Sequence, residues 1–189
     1  MKRTMLITLI SIASLSSANA DEHLKQRAMQ SKDVVKEFMG QLKGELKSAM
    51  EAGGPVNAIN VCKDKAPVIA ADLSKKYNWK VARTSLKTRN PDNAPDLWES
   101  RVLHEFEVRK NDGEDVKTMA YFAEVDEKGE KSFRFMKAIP TGEMCLKCHG
   151  DNLAPDVSAK LKEAYPEDKA TGFKLGDIRG AFTITQSVN

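Results

Sequence analysis

The sequence predicts an α+β fold, with helices flanking a small antiparallel sheet. Three observations carry this. Apolar residues recur every three or four positions through the first third of the chain. Two strand-like segments meet across a polar turn in the second half. The elements then run helices, strand, helix, hairpin, cysteine-motif loop, helix, strand, without the repeated βαβ alternation of a parallel sheet.

From Glu22 to about Met50, the residues Val35, Phe38, Met39, Leu42, Leu46 and Met50 return at helical spacing, and Gly53-Gly54-Pro55 ends the helix. Gly40 and Gly44 lie inside it, each costing about 1 kcal/mol relative to alanine. Their spacing either admits close approach of another helix, including a homodimer through this N-terminal helix, or marks an exposed face that tolerates them. A second helix covers Val56 to about Lys76, with Pro67 restarting it at a first-turn position. Trp79 to Ser85 reads as a strand, and Asn90-Pro91-Asp92-Asn93-Ala94-Pro95 as a turn-rich loop. Asp96 to Arg109 reads as a helix with Trp98, Val102 and Phe106 on one face. Asp115 to Val125 and Lys131 to Ile139 form a hairpin across Asp126-Glu127-Lys128-Gly129. A short helix near Val157 to Tyr165 and a last strand, Ile178 to Gln186, complete the chain.

The first twenty residues have the layout of a signal peptide: Lys2 and Arg3, an apolar run from Met5 to Ile12, and Ala18-Asn19-Ala20 as the cleavage site. The run is well short of the roughly 20 apolar residues of a membrane span. No cysteine follows the site to take a lipid. Residues 21–189 are therefore expected as one exported domain in an oxidising space, most simply a bacterial periplasm. That length can bury a core without disulfide support. The full chain has 30 Lys and Arg against 27 Asp and Glu, and loss of Lys2 and Arg3 brings it close to neutral. Neither nucleic acid nor a membrane surface is expected as a partner.

Cys145-Leu146-Lys147-Cys148-His149 is a C-x-x-C-H sequence, the attachment motif for c-type haem. Cys145 and Cys148 can add to the two vinyl groups of one porphyrin, and His149 places an imidazole on the iron as proximal ligand. A redox dithiol does not need the histidine and belongs in a βαβ context. A zinc site needs a fourth ligand from a chain with only three cysteines and three histidines. One such motif implies one haem. The mixed fold differs from the all-helical small electron-carrier cytochromes.

Cys62 is left without a partner, which calls for an explanation in an exported protein. On helical spacing it shares a face with Ala58, Ile59 and Ala66 and should point inward. It is then a buried inert thiol, one half of an intermolecular disulfide, or the distal haem ligand. His104 is expected to face solvent and His23 lies near the mature terminus; Met119, Met136 and Met144 are the methionine rivals. Arg83, Lys87 and Arg89 are candidate contacts for the haem propionates, or else the solvated edge of a strand and turn.

The runs Val61-Cys62-Lys63-Asp64-Lys65-Ala66-Pro67, Arg83 to Glu99, and Cys145 to Gly150 occur in that order, within a resemblance that covers nearly all of the mature chain. They resemble the bacterial family of single-haem, PAS-like c-type haem domains, found as stand-alone secreted proteins and as input domains of histidine kinases and chemoreceptors. The resemblance implies a PAS-like fold with the C-x-x-C-H histidine on one side of the iron and Cys62 on the other. Two functions follow as expectations. One is a redox or gas sensor, in which a diatomic ligand or a change of redox state displaces Cys62 and a separate partner reads the result. The other is a low-potential electron-transfer cytochrome that serves a redox partner protein. An enzyme is not expected, because no residue other than His104 offers itself as an acid or base.

Overall fold

The computed structural model describes residues 13–188, with side chains from Asp21 onward. Lys2 to Ile12, and the side chains of Ala18 to Ala20, lie outside the described residues. Helix α1 (Ala13–Asn60) breaks at Gly53-Gly54, where Gly54 takes a φ of 68° and Pro55 follows. That φ together with a ψ of −163° suits glycine alone. Asn57 Nδ2 donates to the Ala49 carbonyl (3.1 Å) and satisfies an acceptor that the break leaves free. The long arm buries Val34, Val35, Phe38 and Leu42. Met39, expected on that face, is 36% exposed because it lies one residue round from the buried stripe. An added Cβ at Gly40 or Gly44 would meet nothing within 4 Å, so both sit on the open side of the arm.

The second helix, expected as one piece, comes in three. The short arm of α1 ends at Asn60, a π turn spans Val61–Lys65, and α2 (Ala66–Tyr77) restarts with Pro67 in its first turn. The π turn holds Cys62. Such widened turns recur at functional sites. Asn78 ends α2 in the left-handed region, which asparagine tolerates.

Strand β1 (Lys80–Thr84) leads through a tight turn at Pro91–Asn93 to α3 (Leu97–Asn111). Asp96 caps α3 reciprocally: its side chain accepts from Glu99 N (2.8 Å) while Glu99 Oε2 accepts from Asp96 N (3.1 Å). The hairpin joins β2 (Ala120–Glu127) to β3 (Glu130–Pro140) through Lys128 and Gly129, both at positive φ, as a type I′ turn requires. Strand β2 starts later than expected. Asp115 folds its own carboxylate onto Lys117 N (2.9 Å), making residues 115–119 a turn that buries Val116 and Met119. The cysteine motif, expected as a loop, is a short helix, α4 (Glu143–His149), and α5 (Pro155–Ala164) and β4 (Ile178–Ser187) follow.

The sheet is fully antiparallel in the order β1-β4-β3-β2, so the last strand lies at its centre. One face carries Val81, Phe133, Phe135, Phe182 and Ile184 against α1 and α2; the other packs Met136, Ala138 and Ala181 on α3. Buried Arg134 reaches Asp96 (2.6 Å) and Glu99 (3.2 Å), tying the cap of α3 to the sheet. The PAS-like α+β arrangement, with its long N-terminal helix, is the fold observed. Among the described residues no helix is long and apolar enough to cross a membrane.

One irregularity matters for the site. Ile139 pairs with Gly180, but Pro140 pairs with Ile178, which leaves Arg179 as the extra residue of a bulge in β4. A Cβ on Gly180 would collide with the Thr84 carbonyl, so this close crossing needs glycine.

Candidate haem site

The three-residue spacing of Cys145 and Cys148 on α4 puts both half-buried sulfurs on one side of the helix, with His149 beside them. Gly150 closes α4 against Leu146, where a Cβ would stand 2.7 Å from the Leu146 carbonyl oxygen. The strand-like segment after α5 then docks on the motif: Phe173 N donates to His149 O (2.9 Å) and Gly172 N to Gly150 O (3.0 Å).

Hydrogen bonding fixes the tautomer of His149. The Ala170 carbonyl lies 2.7 Å from His149 Nδ1 and also accepts from Arg89 Nη2 at 3.1 Å. A carbonyl can only accept, so Nδ1 carries the proton and the Nε2 lone pair stays free. This is the arrangement of a metal-ligating imidazole with its other nitrogen held. Burial, reinforced by the Arg179 and Arg89 charges, pulls His149 down to about 2, so the ring is neutral.

Arg89 is buried and pairs with Asp168 (3.0 Å) while donating to Cys148 O (2.6 Å). Its bonded nitrogens serve the protein, holding the segments around His149 together. Arg83 is different. Its guanidinium lies 5.6 Å from the Phe38 ring centre, and it makes no ion pair among the described residues. Burial pulls Arg83 below its ordinary value, with Cys62 and Tyr165 acting in the opposite sense. Lys87 is exposed, with Nζ 5.3 Å from the centre of Phe173, whose ring meets His149 edge-on at 6.1 Å.

Cys62 lies close to the same place. Ile59, one turn earlier, packs with Val157, Leu161 and Tyr165 in a cluster that also holds Cys148. Cys62 is half-buried and acts electrostatically on Arg83, Cys148, Tyr165 and Arg179. Burial pushes the Cys148 thiol up, and burial followed by the effect of Cys62 pushes Tyr165 up to about 12. The rivals lie elsewhere or are locked away: His23 and His104 are exposed, Met119 and Met136 are fully buried in the sheet core, and Met144 is 45% exposed.

Arg179, Tyr165, Asp168 and Ala170 also line the site, and sequence reading did not single them out. The one signal was Gly180, since a glycine inside a strand marks a bulge or a close backbone approach. Arg83 and Arg89 lie close enough to Arg179 to pull it down, and among the described residues only Arg89 of the three makes an ion pair, with Asp168. Such an excess of buried and half-buried positive charge suits an anionic group with carboxylates. Two thiols, an imidazole nitrogen without a proton and a further cysteine sulfur nearby are donors whose chemistry would fit a haem.

A family model described as Tll0287-like matches residues 17–187. The fold also matches the crystal structure of the cyanobacterial heme-protein Tll0287, with a TM-score of 0.67 and 21% sequence identity, covering 87% of this chain and 96% of that one. Among curated proteins no relative matches. With a family model that spans the described domain almost end to end, from the long N-terminal helix to the central last strand, the chain belongs to the Tll0287-like family.

Proposed function

We propose that this chain is an exported monohaem c-type cytochrome that works as a haem-based redox or gas sensor. Cys145 and Cys148 would form the thioether bonds, with His149 as proximal and Cys62 as distal ligand. The observation that carries the reading is the C-x-x-C-H helix with His149 Nε2 left free by the Nδ1 bond to Ala170. That the cyanobacterial structure is described as a heme-protein agrees with it. Bound haem supplies a one-electron Fe(III)/Fe(II) couple and an axial position whose ligand can change. Arg83, lacking an anion of its own, and Lys87 are the propionate contacts this reading favours; Arg89 has only Nη1 to offer.

Cys62 is the residue that moves. It sits in a π turn between two helices, so its release lets the turn re-register and shift α2. No acid or base is assigned, since His104 faces solvent with Nδ1 on the Ser100 carbonyl (2.7 Å). A periplasmic location follows from the expected signal peptide. The ferric holoprotein's absorption and EPR spectra test the ligand set, and exposure of the ferrous form to CO or NO tests its use. A low-spin thiolate/histidine spectrum and exchange of Cys62 are expected. A ferrous form that refuses both gases and exchanges electrons rapidly with a redox partner would make the protein a low-potential carrier instead.

A further inference from the structure

Arg179 enters the site by an unusual route. It is the unpaired residue of the β4 bulge, and bulges re-aim side chains. Its Nε lies 3.2 Å from His149 Nδ1 and 3.3 Å from Nε2. A point in the ring plane equally far from both nitrogens would crowd the Cε1 carbon between them. The guanidinium therefore lies over the face of the imidazole, its N–H directed at the ring, and leaves the in-plane Nε2 lone pair open. These are not two ordinary hydrogen bonds, because Nδ1 already donates to Ala170.

The position is held on every side. Arg179 Nη1 donates to Ser85 Oγ (3.0 Å) and to the Lys87 carbonyl (3.2 Å), and Ser85 Oγ in turn donates to the Arg179 carbonyl (2.8 Å). The guanidinium carbon lies 5.3 Å from the centre of Phe173. Gly180 lets this corner of β4 approach Thr84. Among the described residues Arg179 makes no ion pair, so its charge stays directed at the ring.

We propose that Arg179 is a positioning residue for the proximal ligand, fixing the plane of His149 and raising the reduction potential with a half-buried positive charge. The inference rests on His149 being the proximal haem ligand. Reduction adds one electron, here from a chemical reductant, to Fe(III) to give Fe(II), and neither proton nor bond changes at Arg179. A fixed cation favours the form with the extra electron, most strongly where water is excluded. It thus opposes the lowering expected of a thiolate ligand.

The test uses holoprotein of the wild type and of Arg179→Gln and Arg179→Lys, with haem content checked for each. Midpoint potentials are read by titration with dithionite and redox mediators, and the ferric ligand field by EPR. Arg179→Gln should disfavour reduction by about tenfold, which is about 59 mV for one electron. Arg179→Lys should recover most of that loss, because it keeps the charge, yet shift the EPR g-values, because an ammonium lacks the planar fork that reaches the ring and the Ser85 and Lys87 acceptors together. Gln and Lys variants with equally lowered potentials would overturn the charge argument, and unchanged potential and spectrum in Arg179→Gln would overturn the whole proposal. If Arg179→Gln does not fold, Ser85→Ala removes the shorter of the two Nη1 anchors while keeping the cation. It should shift the g-values as Arg179→Lys does, and no shift there overturns the positioning role. A wild-type protein without covalent haem would instead refute the underlying reading.

Discussion

Because the Ala170 carbonyl accepts from both His149 and Arg89, His149 and the buried Arg89–Asp168 pair form one network. Asp168 also accepts from Ala170 N (2.8 Å), so a single carboxylate holds the residue whose carbonyl orients the imidazole. Asp168→Ala leaves a buried guanidinium without its partner and should cost about 3 kcal/mol of stability, read by urea denaturation of wild type and variant. A loss within experimental error would mean that the backbone carbonyls alone suffice for Arg89. Opposite the histidine, Cys62→Ala should convert the low-spin ferric spectrum to high-spin, or to another low-spin form, while haem stays attached through Cys145 and Cys148. An unchanged spectrum returns Cys62 to the role of an inert thiol and the distal position to another side chain. The two thiols and the histidine of α4 were legible in the sequence because their chemistry lies within five consecutive residues. Arg179 and Asp168 were not, because only folding brings them to His149, 30 residues away along the chain in the case of Arg179.

Helix and strand boundaries divide along the same line. The α1 stripe, the Pro67 restart, the start of α3 beside Asp96 and the Lys128-Gly129 turn are set by local spacing and local backbone preference, and each was readable. The π turn at Val61–Lys65 was not, since an α-helical reading of the same residues places the apolar side chains almost as well. The β4 bulge was missed because register belongs to a pair of strands and not to one. The cap of α3 gives a direct prediction. Burial raises the Asp96 carboxyl, but the hydrogen bonds from Arg134 and from Glu99 N outweigh it, and the net shift is downward. A carboxyl lowered in the folded state stabilises the protein above the ordinary value of about 3.9, and that contribution disappears as pH falls through the depressed value. Asp96→Ala should therefore cost about 1 kcal/mol at pH 7 and progressively less below about pH 4, as urea midpoints across that range would read. A penalty that stays constant down to pH 2 would show that the charge of Asp96 is not what caps the helix.

For the whole molecule, the proposed export and haem attachment predict one measurable object: a mature chain from Asp21 carrying one haem that survives acid–acetone extraction. Intact mass of protein recovered from the periplasm checks both parts, and haem lost on extraction would remove the thioether bonds from the account. The choice between sensor and carrier turns on how far a change at the iron spreads. Cys62 is joined to α2 through the π turn, and α2 packs with α1 on the Phe133, Phe135 and Phe182 face of the sheet. Release of the sulfur therefore acts on a segment tied to the central strands, whereas His149 is clamped by Ala170, Arg179 and the backbone of Phe173. Motion should be one-sided. Hydrogen exchange compared between ferric and ferrous-CO protein should rise across Val56 to Ala66 and spread into α2, while α4 and the 170–173 segment stay protected. Equal exchange in the two states, together with rapid electron exchange with a periplasmic redox partner, would identify a carrier whose ligands stay fixed. Sustained turnover of peroxide with an electron donor would overturn both roles, because it requires acid–base chemistry that neither reading assigns to any residue.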